Sequence, residues 1–272
     1  MKPTGSIACS LVVTTYNWPE ALDLVIRSAL DQSEPPCEII VADDGSTSET
    51  ADLVARHRAG ASVPVLHVWQ EDQGFRAAAS RNRAIAASKG EYIVIVDGDM
   101  LLHRDFIRDH RHLARPGSFI QGSRVLLSPE ATRIRLASGE HGVSLFDAGL
   151  GNRKNALRLP GLSGVLAART ASLRGIRSCN MSFFREECLR VNGFNEQFVG
   201  WGREDSEFAV RMINSGVLRR NVRFSAIAFH LWHAENPRSS LPENDRRLSE
   251  AISGRATRCC DGIDKHLPGK RP

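Results

Sequence analysis

Glu91-Tyr92-Ile93-Val94-Ile95-Val96-Asp97-Gly98-Asp99-Met100 is the stretch that decides the fold. Tyr92 to Val96 is an unbroken apolar and aromatic run. Such a run reads as a strand buried on both faces, as in a parallel sheet. It ends abruptly in two carboxylates separated by a glycine. Open α/β sheets bind ligands beyond the carboxyl ends of their strands. Two acids there can hold a divalent cation through oxygen, and the cation can carry a diphosphate. Taken alone, Asp-x-Asp reads equally well as a solvated turn; the flanking sequence decides between the two.

Upstream, Ile7 to Val13 reads as a first strand that ends in Thr14-Thr15-Tyr16-Asn17. Pro19 sits in a first helical turn, where proline is tolerated. Ala21, Leu22, Val25, Ile26, Ala29 and Leu30 then recur at helical spacing until Pro35-Pro36. Glu38 to Ala42 is a second strand that ends in Asp43-Asp44-Gly45-Ser46, and Thr47 or Ser48 caps the helix after it. Val63 to Val68 is a third strand, and Ala77 to Ser88 an alanine-rich helix stopped by Gly90. The order β-α-β-α-β-α-β predicts an α/β fold: a mostly parallel, Rossmann-like sheet, helices on both faces and right-handed crossovers. Neither Gly-x-Gly-x-x-Gly nor a Walker A pattern follows the first strand. Strand-end acids stand there instead, which suits a nucleotide held by base and ribose contacts and a metal-bridged diphosphate.

Downstream, residues 101–118 read as an amphipathic basic helix, with a solvated face or a lipid contact. Phe119 to Leu127 reads as one strand, and 128–178 lacks periodicity, as a flexible region near an acceptor or an insertion would. Cys179 to Phe184 is a strand, and Arg185 to Val191 a helix ended by Asn192-Gly193. A helix from Glu204 puts Phe208 and Met212 on one face and closes at Gly216. Ala226 to Phe229 leads as a strand into His230-Leu231-Trp232-His233. The polar tail holds an amphipathic helix around Asp245 to Ile252. The expected division is one half at 1–118, a second at 119–236, and a helical tail at 237–272.

The 272 residues are 42% hydrophobic and 25% charged, as in an ordinary globular protein. No apolar run approaches the ~20 residues of a membrane span. The first residues do not read as a signal peptide. The expected location is therefore cytoplasmic, free or peripheral on the inner membrane. Six scattered cysteines with no Cys-x-x-Cys read as reduced structural thiols. The net charge of +5 favours anionic partners, an anionic membrane surface among them. No zinc finger or RNP-like pattern accompanies it, which argues against nucleic acid.

With these residues in hand, the sequence resembles the family-2 glycosyltransferases of the GT-A fold. The resembling pieces are Thr15-Tyr16-Asn17, Asp43-Asp44-Gly45-Ser46, Gly74-x6-Arg81-Asn82, Asp97-Gly98-Asp99 and Gly200-Trp201-Gly202-x-Glu204-Asp205, in the family's order. The stretch 193–208 is also similar to the carboxyl half of β-1,4-galactosyltransferases and to bacterial chondroitin-polymerase domains. The whole pattern is similar to lipopolysaccharide-core transferases. The resemblance implies that Thr14, Thr15 and Asn17 line a nucleotide pocket, that Asp44 accepts from the uracil N–H, and that Arg81 approaches the base or diphosphate of a UDP-sugar. It implies that Asp97 contacts the ribose, and that Asp99 ligates Mn2+ or Mg2+ with His233, and with His230 as a further candidate. Trp201 would be a sugar platform, Glu204 an acceptor contact and Asp205 the catalytic base. Two departures stand out. The middle residue of Asp-Gly-Asp is smaller than in many relatives, and residue 203 is Arg where the galactosyltransferases carry Gly.

The chemistry needs few groups. An inverting transfer displaces a nucleoside diphosphate in one step, so one general base suffices, and a cation stabilises the leaving charge. Asp205 would begin a helix, whose dipole lowers its basicity, while burial beside Trp201 would raise it. The expected activity is thus an inverting, metal-dependent hexosyltransferase acting on a glycan or glycolipid such as lipopolysaccharide core or another surface polysaccharide. Two rivals remain at this stage: a nucleotidyltransferase and a non-catalytic nucleotide-sugar-binding module. Each key residue also has a plainer reading: helix-start acids for Glu204 and Asp205, a core aromatic for Trp201, a surface imidazole for His233, a turn residue for Asp44.

Overall fold

The computed structural model describes residues 7–234 and 237–269. The polar lead at 1–6, residues 235–236 beside the expected boundary and the end of the tail at 270–272 lie outside the described residues. The first half alternates β1 (Cys9–Thr15), α1 (Pro19–Leu30), β2 (Glu38–Asp43), α2 (Ser48–Gly60), β3 (Val65–Trp69), α3 (Ala77–Ala87) and β4 (Tyr92–Asp97). There follow β5 (Met100–Leu102), α4 (Phe106–Leu113), β6 (Ser118–Gln121), β7 (Ser123–Leu127), α5 (Pro129–Ser138), β8 (Leu150–Gly151), α6 (Pro160–Leu166) and β9 (Arg169–Thr170). The remainder is β10 (Asn180–Phe184), α7 (Arg185–Arg190), α8 (Glu204–Asn214), β11 (Leu218–Asn221), β12 (Ile227–His230) and α9 (Leu241–Ser253).

A large sheet runs β3-β2-β1-β4-β10-β6-β11-β9, and a smaller one β5-β12-β7-β8. The first four strands of the large sheet are parallel, as the alternation predicts. Their register sets Thr14 beside Asp97 and Thr15 beside Asp43, so the polar strand ends lie flush. One core layer joins β1, β2 and β4 to α1 and α2; the opposite layer joins the same strands to α3, α7 and α8.

Three expectations need correction. Residues 101–118 are not one helix: Leu101 and Leu102 belong to β5, and only Phe106–Leu113 is helical. Residues 119–127 are two strands in different sheets, broken at Gly122. There Asn180 fills the space where a Cβ would sit, its Oδ1 2.3 Å from that position. Finally, 128–178 contains α5 and α6. Helix α5 carries start and stop signals, with Ser128 Oγ accepting from Ala131 N, Pro129 in the first turn and Gly139 at φ 74°.

Helix α8 is fixed from within. Arg211 is fully buried and forms a two-pronged pair with Glu207, Nε–Oε1 2.8 Å and Nη2–Oε2 2.7 Å. Glu207→Ala strands that guanidinium and is expected to cost about 3–5 kcal/mol in urea unfolding. Pairing it with Arg211→Met should recover much of the loss.

Candidate active site

The site sits where β1, β2 and β4 end. Asn17 turns the chain at φ 45°. Its backbone N–H donates to Ser46 Oγ at 2.9 Å, and its Oδ1 accepts from Thr47 N at 2.9 Å. Asp44 N donates to Thr15 O at 3.0 Å, which locks the first two strand ends together. Asp44 is buried, and its carboxylate accepts from Gln70 Nε2 at 2.5 Å and from Arg76 N at 2.7 Å. Burial raises its pKa against those donors. A carboxylate offers about four lone-pair positions, so two donors leave capacity for a third.

Gly98 explains the small middle residue of Asp-Gly-Asp. Its N–H donates to Thr14 O at 2.7 Å. A Cβ there would stand 3.0 Å from both Thr14 O and Thr15 Oγ1. Close approach of β1 thus selects glycine, and the two flanking acids splay to either side.

Asp97 faces Arg81. This buried guanidinium on α3 reaches Asp97 Oδ1 at 3.3 Å, Glu204 Oε1 at 2.9 Å and Thr14 Oγ1 at 3.3 Å. It also lies 5.5 Å from the Phe194 ring centre. Arg81 therefore ties the end of β4 to the start of α8, more than a hundred residues later in sequence. Burial raises the Asp97 pKa to about 6 even with Arg81 beside it, and the Asp99 charge pushes the same way.

Asp205 lies in the first turn of α8. Its Oδ2 accepts from Ser178 N at 3.2 Å and its Oδ1 from Ser206 Oγ at 3.1 Å. Burial, and then the charge of Glu204, raise it to about 7. The helix dipole opposes that rise and loses. Ser178 precedes β10, which runs antiparallel to β4 with Asn180 opposite Val96, so residue 178 continues past the Asp97 end. Trp201 is part-exposed under the Arg238 guanidinium at 5.4 Å. The loop before α8 is left-handed at Gly200, Gly202 and Arg203, the last at φ 78°. Arg203 reaches Asp245 at 2.5 Å, an exposed pair that fastens this loop to α9.

A third group gathers at the end of β12. His233 Nε2 lies 3.2 Å and His230 Nε2 3.5 Å from Asp99 Oδ2. Donor atoms of the three lie within 4.8 Å of one another. Asp99 Oδ1 is buried with no hydrogen-bond partner among the described residues. His233 Nδ1–H donates to Ala234 O at 2.6 Å, which turns Nε2 toward Asp99. Burial lowers His230, keeping it neutral, while the hydrogen bond to Asp99 raises His233 to about 9. A carboxylate with one oxygen facing two imidazoles and the other without a partner among the described residues fits a divalent cation.

The structure thus brings the sequence candidates together at the carboxyl ends of the strands, except Trp201, which it sets beside Arg238. It also gives three residues roles that the sequence did not assign. Gln70 braces Asp44, Ser178 holds Asp205, and Asn82 clamps the Phe194 backbone through both ends of its amide. Gln70 and Ser178 carry no sequence signal of their own; Asn82 lay inside the Arg81-Asn82 pair.

The family model for glycosyl transferase family 2 matches residues 10–177, and one described as the N-terminal domain of galactosyltransferase matches 167–234. The chain is 26% identical over 273 residues to a hyaluronan synthase of Pasteurella multocida, covering 91% of this chain and 26% of that one. It thus spans about a quarter of that relative's length. TarS of S. aureus, residues 1–349, superposes with a TM-score of 0.65 at 15% identity, over 96% of this chain and 69% of that one. The same TarS fragment has been solved with UDP. Mannosyltransferase PcManGT from Pyrobaculum calidifontis, solved with GDP-Man and Mn2+, superposes at 0.59 and 19% identity, over 93% and 73%.

Proposed function

The chain belongs to glycosyl transferase family 2, and from that premise we propose an inverting transfer of a hexose from a UDP-sugar to a glycan or glycolipid hydroxyl. The observation that carries this reading is Asp205, a carboxylate raised to about 7 and joined through Glu204, Arg81 and Asp97 to the strand end that bears Asp99. Glu204 and Asp97 are occupied by Arg81, which leaves Asp205 as the base. The acceptor O–H breaks and its proton goes to Asp205. The acceptor oxygen bonds the anomeric carbon from one side. The bond to the diphosphate breaks on the other, and its electron pair leaves with UDP. No protein nucleophile is needed.

Thr14, Thr15, Asn17 and Asp44 bind the nucleoside, and Asp97 takes the ribose. Arg81 lies close enough to this group to screen the diphosphate while holding Asp97 and Glu204. Trp201 supplies an apolar face for a sugar ring, and Glu204 an acceptor contact. Asp99, His233 and His230 would hold the cation, and two imidazoles beside one carboxylate suit Mn2+ better than Mg2+. When bound, such an ion supplies Lewis-acid stabilisation to the leaving diphosphate. In this scheme 1–118 binds the donor and 119–236 the acceptor, with both segments contributing strands to both sheets. A surface polysaccharide or lipopolysaccharide core is the acceptor class we favour.

The test is UDP release from a panel of UDP-sugars with Mn2+ and oligosaccharide acceptors. One donor should give acceptor-dependent UDP release. UDP binding by calorimetry without turnover on any acceptor would instead leave a binding module, and pyrophosphate release from a nucleoside triphosphate would indicate nucleotidyl transfer.

A further inference from the structure

Between Asp147 and Glu186 the sequence has no acidic residue, yet it carries Arg153, Lys154, Arg158, Arg169, Arg174 and Arg177. Arg158 alone of these is paired with carboxylates among the described residues, Asp105 and Asp109. Arg153 and Arg169 donate to main-chain carbonyls, which leaves their charge uncompensated. Behind them on β11, Arg219 and Arg220 also donate to carbonyls, those of Arg174 and Ala167. Burial lowers the pKa of both, and the neighbouring cations Arg177 and Arg115 add to it. Positive charge in this segment therefore stands largely without carboxylate partners among the described residues.

The same segment exposes apolar side chains. On α6, Leu162 is 51%, Val165 82% and Leu166 54% exposed. They stand at i, i+3 and i+4 of one short helix. Its other side is anchored: Ser225 Oγ donates to Ser163 Oγ at 2.9 Å, and Leu159 N to Phe224 O at 2.9 Å. The crest is thus held outward by the fold. Leu166, Ala168 and Thr170 share a recess with Asn221, Arg223 and Phe224, so the apolar and basic surfaces are continuous.

We propose that α6 and its border of Arg169, Arg174 and Arg223 dock this chain on an anionic lipid surface. Leu162, Val165 and Leu166 enter the interface while the arginines meet headgroup phosphates. A dissolved polyanion would use the arginines but gains nothing from three exposed aliphatic side chains. No helix among the described residues is long and apolar enough to cross a membrane. The segment runs directly into Ser178, whose N–H holds Asp205.

The experiment is sedimentation of the full chain with vesicles of phosphatidylcholine, alone or with about a third phosphatidylglycerol, at low and high salt. Binding should favour the anionic vesicles by at least about tenfold and weaken with salt. Val165→Asp with Leu166→Asp should cut it about tenfold, and Arg169→Glu with Arg223→Glu at least as much, since each headgroup contact counts about fivefold. Both pairs lie on the surface, and turnover on a soluble acceptor should be unchanged. Absence of binding to anionic vesicles, equal binding to neutral ones, or binding that ignores the Val165 and Leu166 changes overturns the proposal. So does tight heparin binding without vesicle binding. Sedimentation reads no turnover, so vesicle binding by a chain inactive on every UDP-sugar would sink the function and leave the docking standing.

Discussion

Asp205→Asn should lower UDP-sugar transfer by roughly 10²–10⁴-fold, with the donor KM little changed. Asparagine keeps the shape and still accepts from Ser178 N, but it cannot take a proton. In the native chain the carboxyl is raised to about 7 by burial and by Glu204. Below that pH it is protonated and cannot act as base. The log of kcat/KM should therefore rise with a slope near one up to about pH 7 and then level off. Glu204→Gln removes the like charge, so the plateau should reach to lower pH. UDP-release kinetics across the pH range read both effects, and an Asp205→Asn turnover within a few-fold of wild type would discard Asp205 as the base.

The same substitution should act on stability with the opposite sign. An acid whose folded pKa is raised contributes stability that is present below its unfolded pKa, about 3.9, and is lost as pH rises through the folded value. At pH 8 the ionised Asp205 thus weighs against the fold. Asp205→Asn should be more stable than wild type there by roughly 1–3 kcal/mol, after allowing for partial solvent screening. At pH 4 the two should be nearly equal. An inactive protein that unfolds later cannot have lost activity through misfolding.

The parallel half of the sheet was legible because its signals are local. Apolar runs, Pro19 in a first turn and acids at strand ends each announce themselves within a few residues. Strand direction is not local: the apolar pattern of β10 reads the same whether it runs with β4 or, as it does, against it. The smaller sheet escaped for a related reason. β5 has three residues and β7 follows β6 across a single glycine, and β12, far along the chain, returns to pair with both. Helix α5 could have been read from Ser128, Pro129 and Gly139. It was hidden because Thr132 is its one buried residue, which leaves almost no apolar stripe. At the site, the residue types were visible and their connections were not. Arg81 bridges partners from opposite ends of the chain, and Ser178 serves Asp205 through a backbone N–H that any residue but proline carries.

Asp99→Ala should abolish measurable Mn2+ binding and, with it, transfer. The loss should exceed the roughly 10–100-fold that disturbing an outer-shell partner costs, because Asp99 is the group both imidazoles approach. Its Oδ1 has no partner among the described residues, so no other contact compensates for leaving a cation out. Binding should also release a proton. His233 is raised to about 9 by its bond to Asp99, so at neutral pH it carries a proton that a cation must displace, whereas His230 is already neutral. Affinity should then climb about tenfold per pH unit until near pH 9 and flatten above it. Without Asp99, His233 loses the partner that raised it, and at pH 8 any residual binding should release almost no proton. Calorimetry of Mn2+ in two buffers of different ionisation enthalpy counts that proton directly. Wild-type affinity in Asp99→Ala would remove the cation from this corner of the sheet, and would return His230 and His233 to being a strand-end pair with no ligand to hold.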